Sequence, residues 1–296
     1  MENSRIIFSI VIPTFNRADK LRVCLESVQQ QTCKAFEVIV CDDGSTDHTK
    51  AVIEAFRNKG LNVNYIYASN WGGPARPRNM GIAAAQADWI CFLDSDDSWY
   101  KDKLAKCAAL LNDTDLVYHD LDMELASGRK KRMRTRQICT PAFIDLLVNG
   151  NAIFTSTACV RKSLLQQANG FSEDKALAAV EDYDLWVRLA AQGCRFRYLP
   201  ESLGNYWTGG GNITTNDLRQ INRIHRVFEP YLPLLGQKDR EYAERMRSYK
   251  LAKVYHQMAD YKQAISEYKR SMRANNVSIR LKSVFFMIKA ALKMGA

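Results

Sequence analysis

Residues 89–99 read Trp-Ile-Cys-Phe-Leu-Asp-Ser-Asp-Asp-Ser-Trp, an apolar run that stops abruptly in Asp94, Asp96 and Asp97. An apolar run without alternation predicts a strand buried on both faces, and such strands belong to parallel sheets covered by helices. A strand that delivers carboxylates at its C-terminal end has the makings of a divalent-cation site. Hard cations such as Mg²⁺ take oxygen ligands and bridge one or two carboxylates to a substrate phosphate. Taken alone, the stretch also fits a solvated acidic turn, and Asp97 could cap a following helix.

The preceding segments fit the same architecture. Residues 8–12 and 36–41 are further β-rich, apolar runs, and 62–67 is strand-like. Between them the spacing is helical. Over 20–31, Leu21, Cys24, Leu25 and Val28 recur at i, i+3, i+4 and i+7. Over 47–59, Val52, Ile53 and Phe56 continue the pattern, and Gly60 supplies a stop. Residues 76–87 read as an alanine-rich helix. The order βαβαβαβ predicts a parallel sheet covered by helices. Ligands of such sheets bind beyond the carboxyl ends of the strands. Three of those ends carry polar clusters, which should converge on one crevice: Pro13-Thr14-Phe15-Asn16-Arg17, Asp42-Asp43-Gly44-Ser45 and Asp94-Ser95-Asp96-Asp97.

The second half is less regular. Residues 116–119, 153–160 and 195–199 are expected strands, and 180–192 an expected helix that opens with Glu181-Asp182. Residues 129–136 hold six basic residues in eight and read as a mobile loop. Gly209-Gly210-Gly211 reads as a flexible turn. From about 216 the pattern is wholly helical, so the expected division is 1–215 and 216–296. Leu251, Ala252, Tyr255, Ala259, Asp260, Tyr261, Ala264 and Tyr268 resemble one tetratricopeptide-type hairpin. A single such unit must pack on the body or on a neighbour.

Charge is distributed unevenly. Residues 237–296 hold 14 Lys+Arg and 5 Asp+Glu, a balance of +9 out of +10 for the whole chain. A near-neutral body with a basic tail points to an anionic partner for the tail. Over 277–292, Val277, Leu281, Val284, Phe285, Ile288, Ala291 and Leu292 fall on one helical face, with Arg280, Lys282, Lys289 and Lys293 off it. Such a helix is too short and too charged to span a bilayer, and suits an anionic membrane surface. The alternative is a capping helix that packs Phe285 and Ile288 on the hairpin. Phe286 and Met287 are expected to add exposed apolar surface.

No apolar run of about 18 residues exists, and the N-terminal segment lacks the layout of a secretory signal. The chain reads as cytoplasmic and peripheral on the inner face of the cell membrane. Eight cysteines are scattered with no Cys-x-x-Cys pair, which fits reduced thiols and no disulfide or zinc framework. Four scattered histidines suggest no histidine metal cluster.

The motifs also carry a resemblance. Ser9-Ile-Val-Ile-Pro-Thr-Phe-Asn16, then Phe36-Glu-Val-Ile-Val-Cys-Asp-Asp-Gly-Ser-Thr-Asp47, resemble the opening of family 2 glycosyltransferases of the GT-A fold. Arg76-Pro-Arg-Asn-Met-Gly-Ile82, Phe92-Leu-Asp-Ser-Asp-Asp97 and Glu181-Asp-Tyr-Asp-Leu-Trp186 follow in the family's order. The resemblance covers about residues 6–210 and leaves the helical tail outside. It implies a Rossmann-like α/β fold, a nucleotide-binding mixed sheet flanked by helices, here with an all-helical C-terminal appendage. It implies a hexosyltransferase of the bacterial surface-polysaccharide type. Such an enzyme would use Mg²⁺ or Mn²⁺ and move a sugar, with inversion, from a nucleotide-diphosphate donor to a saccharide hydroxyl. A UDP-sugar is the favoured donor, and a lipid-linked acceptor in capsule or O-antigen synthesis the favoured setting. A nucleic-acid partner is not expected, and a homo-oligomer is open.

The resemblance also implies roles. Asp42 and Asp43 fall to the base and ribose, and Pro13, Thr14 and Phe15 to the base pocket. Arg78 and Asn79 fall to the diphosphate, with Arg17 and Ser95 among the donor contacts. Asp96 ligates the metal; Asp94 touches the ribose or reaches the metal through water. Asp182 is the general base, and a carboxylate in that role supplies about 10²–10⁴-fold in rate. Glu181, Trp186, Trp207 and Asn212 contact the acceptor or close the site. Each has a plainer alternative. Asp42-Asp43 could be an Asp-Gly turn with a helix cap. Pro13 to Phe15 could simply end a strand, and Arg78-Asn79 could cap a surface helix. Glu181-Asp182 could be an acidic first turn, and Trp186 a core tryptophan. One departure stands out: many relatives carry a histidine in a Tyr-Arg-x-His pattern after the last strand. This chain has Tyr206-Trp-Thr-Gly-Gly-Gly-Asn212 instead, so no histidine is expected at the metal or phosphate.

Two other classes compete. A nucleotidyltransferase shares the sheet but should show a Gly-rich phosphate loop with a lysine after the first strand, which Pro13-Thr14-Phe15-Asn16 is not. A helical scaffold or anionic-polymer-binding protein with a non-catalytic α/β domain leaves the three aspartate clusters unexplained.

Overall fold

The computed structural model describes residues 6–124, 130–208 and 218–294. Strands β1 (Phe8–Thr14), β2 (Phe36–Asp42), β3 (Val63–Tyr67) and β4 (Trp89–Phe92) run parallel in the order β3-β2-β1-β4. Helices α1 (Ala18–Gln29), α2 (Thr49–Asn58) and α3 (Ala75–Ala84) connect them. β1 and β4 are buried along their whole length, as unalternating apolar runs require. Leu21, Leu25 and Val28 of α1 and Val52, Ile53 and Phe56 of α2 pack with Phe8, Ile10 and Ile12 into one core. Gly81 lets α3 press onto the sheet: a Cβ there would lie 2.4 Å from Val11 Cγ1.

The remaining elements are β5 (Ser98–Trp99), α4 (Lys103–Ala108), β6 (Leu116–Glu124), β7 (Lys130–Met133), α5 (Ala142–Asn149), β8 (Cys159–Arg161), α6 (Lys162–Gln167), α7 (Glu181–Ala191) and β9 (Phe196–Tyr206). They extend the sheet beyond β4 as β8-β6-β9-β5, with β7 on β6. β8 is antiparallel to β4 and β6, and β9 parallel to β6, so the sheet is mixed.

Four expectations need correction. Residues 130–133, expected in a loop, form β7, antiparallel to β6. The expected strand 153–160 is a 3-10 turn at Thr155–Thr157 followed by β8. The last strand runs on to Tyr206, because a register shift takes Pro200 and Glu201 out of the ladder. Asp97 caps no helix; it is buried and β5 follows it.

The chain forms two compact units that one cut at 215 does not separate. Unit 1 comprises Met1–Ile138, Ala152–Glu173 and Leu189–Gly210 and contains the sheet. Unit 2 comprises Cys139–Asn151, Asp174–Arg188 and Gly211–Ala296, so α5 and most of α7 join the helical tail. In unit 2 follow α8 (Leu218–Phe228), α9 (Gln237–Gln257), α10 (Tyr261–Ser271) and α11 (Val277–Met294). α9 and α10 make the expected hairpin around Ala252, Ala264 and Tyr268. Asp260 caps α10 by accepting from the Gln263 N–H at 3.1 Å. α11 packs on α10 through Phe286, stacked on Tyr268, and through a Ser271–Ser283 hydroxyl bond of 2.8 Å. Phe286 and Met287, expected to be exposed, therefore pack on the hairpin core. All eight cysteines are free thiols, six of them buried.

Candidate active site

The expected convergence of strand ends is present in unit 1. The Asp43 N–H donates to the Thr14 carbonyl at 2.9 Å, and the Leu93 N–H to the Val11 carbonyl at 3.1 Å. The segments leaving β1, β2 and β4 therefore emerge side by side. Pro13 and Thr14 are buried, while Phe15 is exposed. The Thr14 hydroxyl is buried without a hydrogen-bond partner. Asn16 takes a left-handed backbone (φ +48°). Its N–H donates to Ser45 Oγ and its side-chain oxygen accepts the Thr46 N–H, both at 2.8 Å.

Asp42 and Asp43 are both buried and already hydrogen-bonded. Asp42 accepts the Ser45 N–H at 2.8 Å and the Tyr65 hydroxyl at 2.7 Å. Burial and that bond raise the Tyr65 pKa, so the phenol stays a donor. Asp43 accepts the backbone N–H of Trp71 at 2.7 Å and of Gly72 at 2.9 Å. It thus holds the loop that precedes α3. Gly44 makes the approach possible: its φ is +87° and a Cβ would meet Asn70 N at 2.8 Å. An ionised carboxylate has about four acceptor positions, so Asp42 keeps capacity for ribose or base donors, while Asp43 also takes longer contacts from Asn70 Nδ2 at 3.4 Å and the Gly73 N–H at 3.5 Å.

At the end of β4 two arginines face two aspartates. Arg17 Nη1 donates to Asp96 Oδ2 at 2.5 Å, and Arg78 Nη2 to Asp94 Oδ1 at 2.6 Å. Arg78 is buried and its guanidinium lies 5.0 Å from the Phe171 ring centroid. Burial first, then the Asp94 charge, raises the Asp96 carboxyl pKa, with Arg17 opposing. Asp97 is pushed up to about 8, by burial and then by Asp94, against the Ser156 hydroxyl and the Trp207 N–H. Those two donors lie at 2.5 and 3.0 Å. Trp207 thus closes onto the aspartate turn, with Lys20 Nζ 3.6 Å from its ring centroid. Burial, then the charges of Asp97, Asp96 and Asp94, raise the Tyr206 pKa, so the end of β9 borders the same cluster.

Ser95 is buried within the turn. Asn79 is used within the fold at both ends of its amide. It donates to the Phe171 carbonyl at 2.8 Å and to Glu173 at 2.9 Å, and accepts the Phe171 N–H at 2.8 Å. It acts as a staple between α3 and residues 171–173.

Asp182, Glu181 and most of α7 belong to unit 2. Both residues lie in the first turn of the helix, and Asp182 Oδ1 accepts the Tyr183 N–H at 2.6 Å. Glu181 is buried. Trp186 is fully buried, so it is a core residue and no sugar stacks on it. Lys250 of α9 lies beside this turn, its Nζ 4.9 Å from the Tyr183 ring centroid. Burial, then Lys253, pull its pKa down to about 8, while Asp182 opposes. Asn212 and Gly209 to Gly211 lie outside the described residues.

Among the described residues, no three carboxylates, histidines or thiols gather as a preformed metal cage. The donor set still fits a hard cation. Asp94 and Asp96 offer two carboxylates close enough for one to raise the pKa of the other. A Mg²⁺ or Mn²⁺ held by one or two carboxylates draws its remaining ligands from substrate phosphate and water.

Sequence patterns did not flag Ser156 and Tyr65. Ser156 accepts the Asp94 N–H at 3.0 Å and donates to Asp97, fastening both ends of the aspartate turn. Tyr65 reaches Asp42 because it pairs with Val40, two residues before Asp42 on the same face. Both depend on sheet register, which no local motif encodes.

Comparison with known proteins agrees with this arrangement. The model for the family "Glycosyl transferase family 2" matches residues 9–166. The amylovoran biosynthesis glycosyltransferase AmsB of Erwinia amylovora is 30% identical over 212 residues, 68% of this chain and 69% of AmsB. The structure of S. aureus TarS 1-349 in complex with UDP-GlcNAc superposes with a TM-score of 0.68 at 20% identity, covering 92% of this chain and 82% of that one. Mannosyltransferase PcManGT from Pyrobaculum calidifontis, solved with GDP-Man and Mn²⁺, gives 0.61 at 18% identity, covering 98% and 87%.

Proposed function

The chain belongs to glycosyl transferase family 2, and we propose that it transfers a sugar from a UDP-sugar to a saccharide hydroxyl, with Mg²⁺ or Mn²⁺ and with inversion. That it is a glycosyltransferase of polysaccharide synthesis, drawing on a nucleotide sugar, is the premise. The finer points rest on the residues. The observation that carries most weight is the pairing of Asp94 and Asp96 with Arg78 and Arg17 at the strand ends. Two carboxylates and two guanidinium groups together suit a metal–diphosphate: the acids would hold the cation and the arginines the phosphate oxygens. The cation would take up charge on the departing nucleotide.

Phe15, exposed beside the unpartnered Thr14 hydroxyl, offers a surface for the base. Asp42 has acceptor capacity for base or ribose donors, and Asp43 would take one in place of its long contacts to Asn70 or Gly73. The UDP-GlcNAc complex of the TarS neighbour supports uracil, and the Mn²⁺ of the mannosyltransferase complex supports a divalent cation. Asp182 is assigned the base role on its chemistry and on the Glu-Asp motif. It would take the proton of the acceptor hydroxyl as that oxygen attacks the anomeric carbon and the bond to the diphosphate breaks. A lipid-linked acceptor in capsule or O-antigen assembly is the proposed setting, at the inner face of the cell membrane.

A panel of nucleotide sugars tests the donor. A UDP-sugar with Mn²⁺ should raise the melting temperature more than GDP- or dTDP-sugars do, since a ligand of the native state stabilises by mass action. Transfer to a saccharide with the anomeric configuration inverted, read by NMR of the product, completes the test. A stronger shift with a GDP-sugar, or a retained configuration, overturns the corresponding part.

A further inference from the structure

We propose that α11 is an interfacial helix that seats unit 2 on an anionic lipid surface. The inference stands on the geometry of unit 2, so it holds or fails independently of the catalytic assignment. It gives a physical basis to the membrane location proposed above.

α11 has two apolar stripes and only one is covered. Ile279, Ser283 and Ala290 are buried, and Phe286 and Met287 pack on the hairpin. On the other side Leu281 is 67% exposed, Phe285 56%, Ile288 53% and Leu292 70%, with Val277 and Val284 beside them. At 3.6 residues per turn these six fall within a stripe about 100–120° wide, the width of a face that seeks an apolar partner. Packing of Phe285 and Ile288 on the hairpin, the alternative weighed from the sequence, is therefore not what covers them. Contiguous apolar surface of this kind marks an interaction site.

The charges select the occupant. Residues 277–294 contain Arg280, Lys282, Lys289 and Lys293 and no acidic residue. The three lysines lie along one border of the exposed stripe, between it and the packed stripe. Lys289 Nζ sits 5.3 Å from the centroid of the Phe285 ring. None of the three has a carboxylate partner among the described residues. Arg280 lies at the other border and donates to the Ala274 carbonyl at 2.7 Å. A second copy seated on this stripe by a two-fold contact would bring like charges together with nothing to neutralise them. An anionic bilayer removes the conflict: the stripe enters the acyl boundary while the lysine stems reach up to the headgroups. No helix among the described residues is long and apolar enough to cross a membrane, so α11 would lie in the plane of the surface.

Co-sedimentation of the full chain with vesicles tests this. The protein should sediment with vesicles containing phosphatidylglycerol at low salt and much less with pure phosphatidylcholine. Phe285→Asp with Ile288→Asp, both exposed, should cut binding at least roughly tenfold without loss of helix by circular dichroism. Changing Lys282, Lys289 and Lys293 to glutamine should weaken binding to the anionic vesicles by roughly 10²-fold, at about 1 kcal/mol per lysine. Donor turnover by the same variants should be unchanged, which separates this outcome from failure of the enzymatic assignment. No binding to the anionic vesicles at low salt, or equal binding to both kinds, overturns the inference. So does a dimer in sedimentation velocity that the double aspartate variant dissociates, because a second copy then covers the stripe.

Discussion

Asp43→Ala separates a ligand contact from a loop anchor. Asp43 is buried and receives the Trp71 N–H at 2.7 Å and the Gly72 N–H at 2.9 Å. Hydrogen bonds to a charged group are worth about 1.5–3 kcal/mol each, so two give about 3–6. The loop is half-exposed at Trp71 and exposed at Gly72, so water recovers part of that once the carboxylate is gone. We expect a net loss of about 2–3 kcal/mol, or about 4–12 °C in melting temperature for a domain of this size. The loop leads into α3, which carries Arg78, so donor affinity should fall with stability. Asp43→Asn keeps one acceptor oxygen and should fall in between on both scales. Thermal unfolding followed by circular dichroism, with nucleotide titration by calorimetry, reads both quantities. If Asp43→Ala melts within about 1 °C of wild type while donor affinity collapses, the anchoring argument is wrong and Asp43 serves the ligand alone.

Two further outcomes follow from unit 2. Asp182→Asn should leave nucleotide affinity near wild type and lower turnover by roughly 10²-fold or more; nearly unchanged turnover would make Asp182 a helix-stabilising residue. Lys250, pulled down to about 8 by burial, loses its proton in the folded protein while the unfolded chain keeps it to about 10.4. Wild-type stability should therefore rise with pH from about 8 to about 10.5, and the penalty is complete below that window. The displacement corresponds to at most about 3 kcal/mol, less for a side chain only half-buried. Lys250→Met should then stabilise by about 1–2 kcal/mol at neutral pH, and the gain should vanish near pH 10.5 in denaturant melts. A destabilised variant at pH 7 would show that the Tyr183 contact dominates.

β1, β2 and β4 were legible because they are buried almost throughout and read as mainly apolar runs, and β3, the partly exposed edge strand, because Val63, Tyr65, Ile66 and Tyr67 are strand-forming residues. The ends of β1, β2 and β4 were legible for the same reason: Thr14, Asp42 and Asp94 begin where the apolar pattern stops. β7 was not, because Lys130, Lys131 and Arg132 line an edge, where exposed charge guards an unpaired strand and imitates a loop. β9 seemed to end at Leu199 because Pro200 cannot join a regular ladder; the register shift that excludes it is invisible locally. Trp186 lies on a helix rich in both acids and apolar residues, and only tertiary packing decides that it faces the core. That 139–151 and 174–188 belong to unit 2 was not legible, because they join it through contacts distant in sequence. Within the crevice, residue types and order gave the aspartates and arginines, but not that Arg17 pairs with Asp96 or that Ser156 fastens their turn.

If Asp96 holds a divalent cation for nucleotide-sugar chemistry, donor turnover depends on that cation and on the Asp96 carboxylate. Wild-type protein should turn over its donor with Mn²⁺, lose activity in EDTA and regain it when Mn²⁺ is restored. Asp96→Asn should lose at least about 10²-fold, or about 2.7 kcal/mol of barrier. Its melting temperature should move little, because burial and the Asp94 charge already disfavour the ionised carboxylate. Full activity in EDTA, or an Asp96→Asn protein that turns over donor at the wild-type rate, would show that Asp96 holds no catalytic cation.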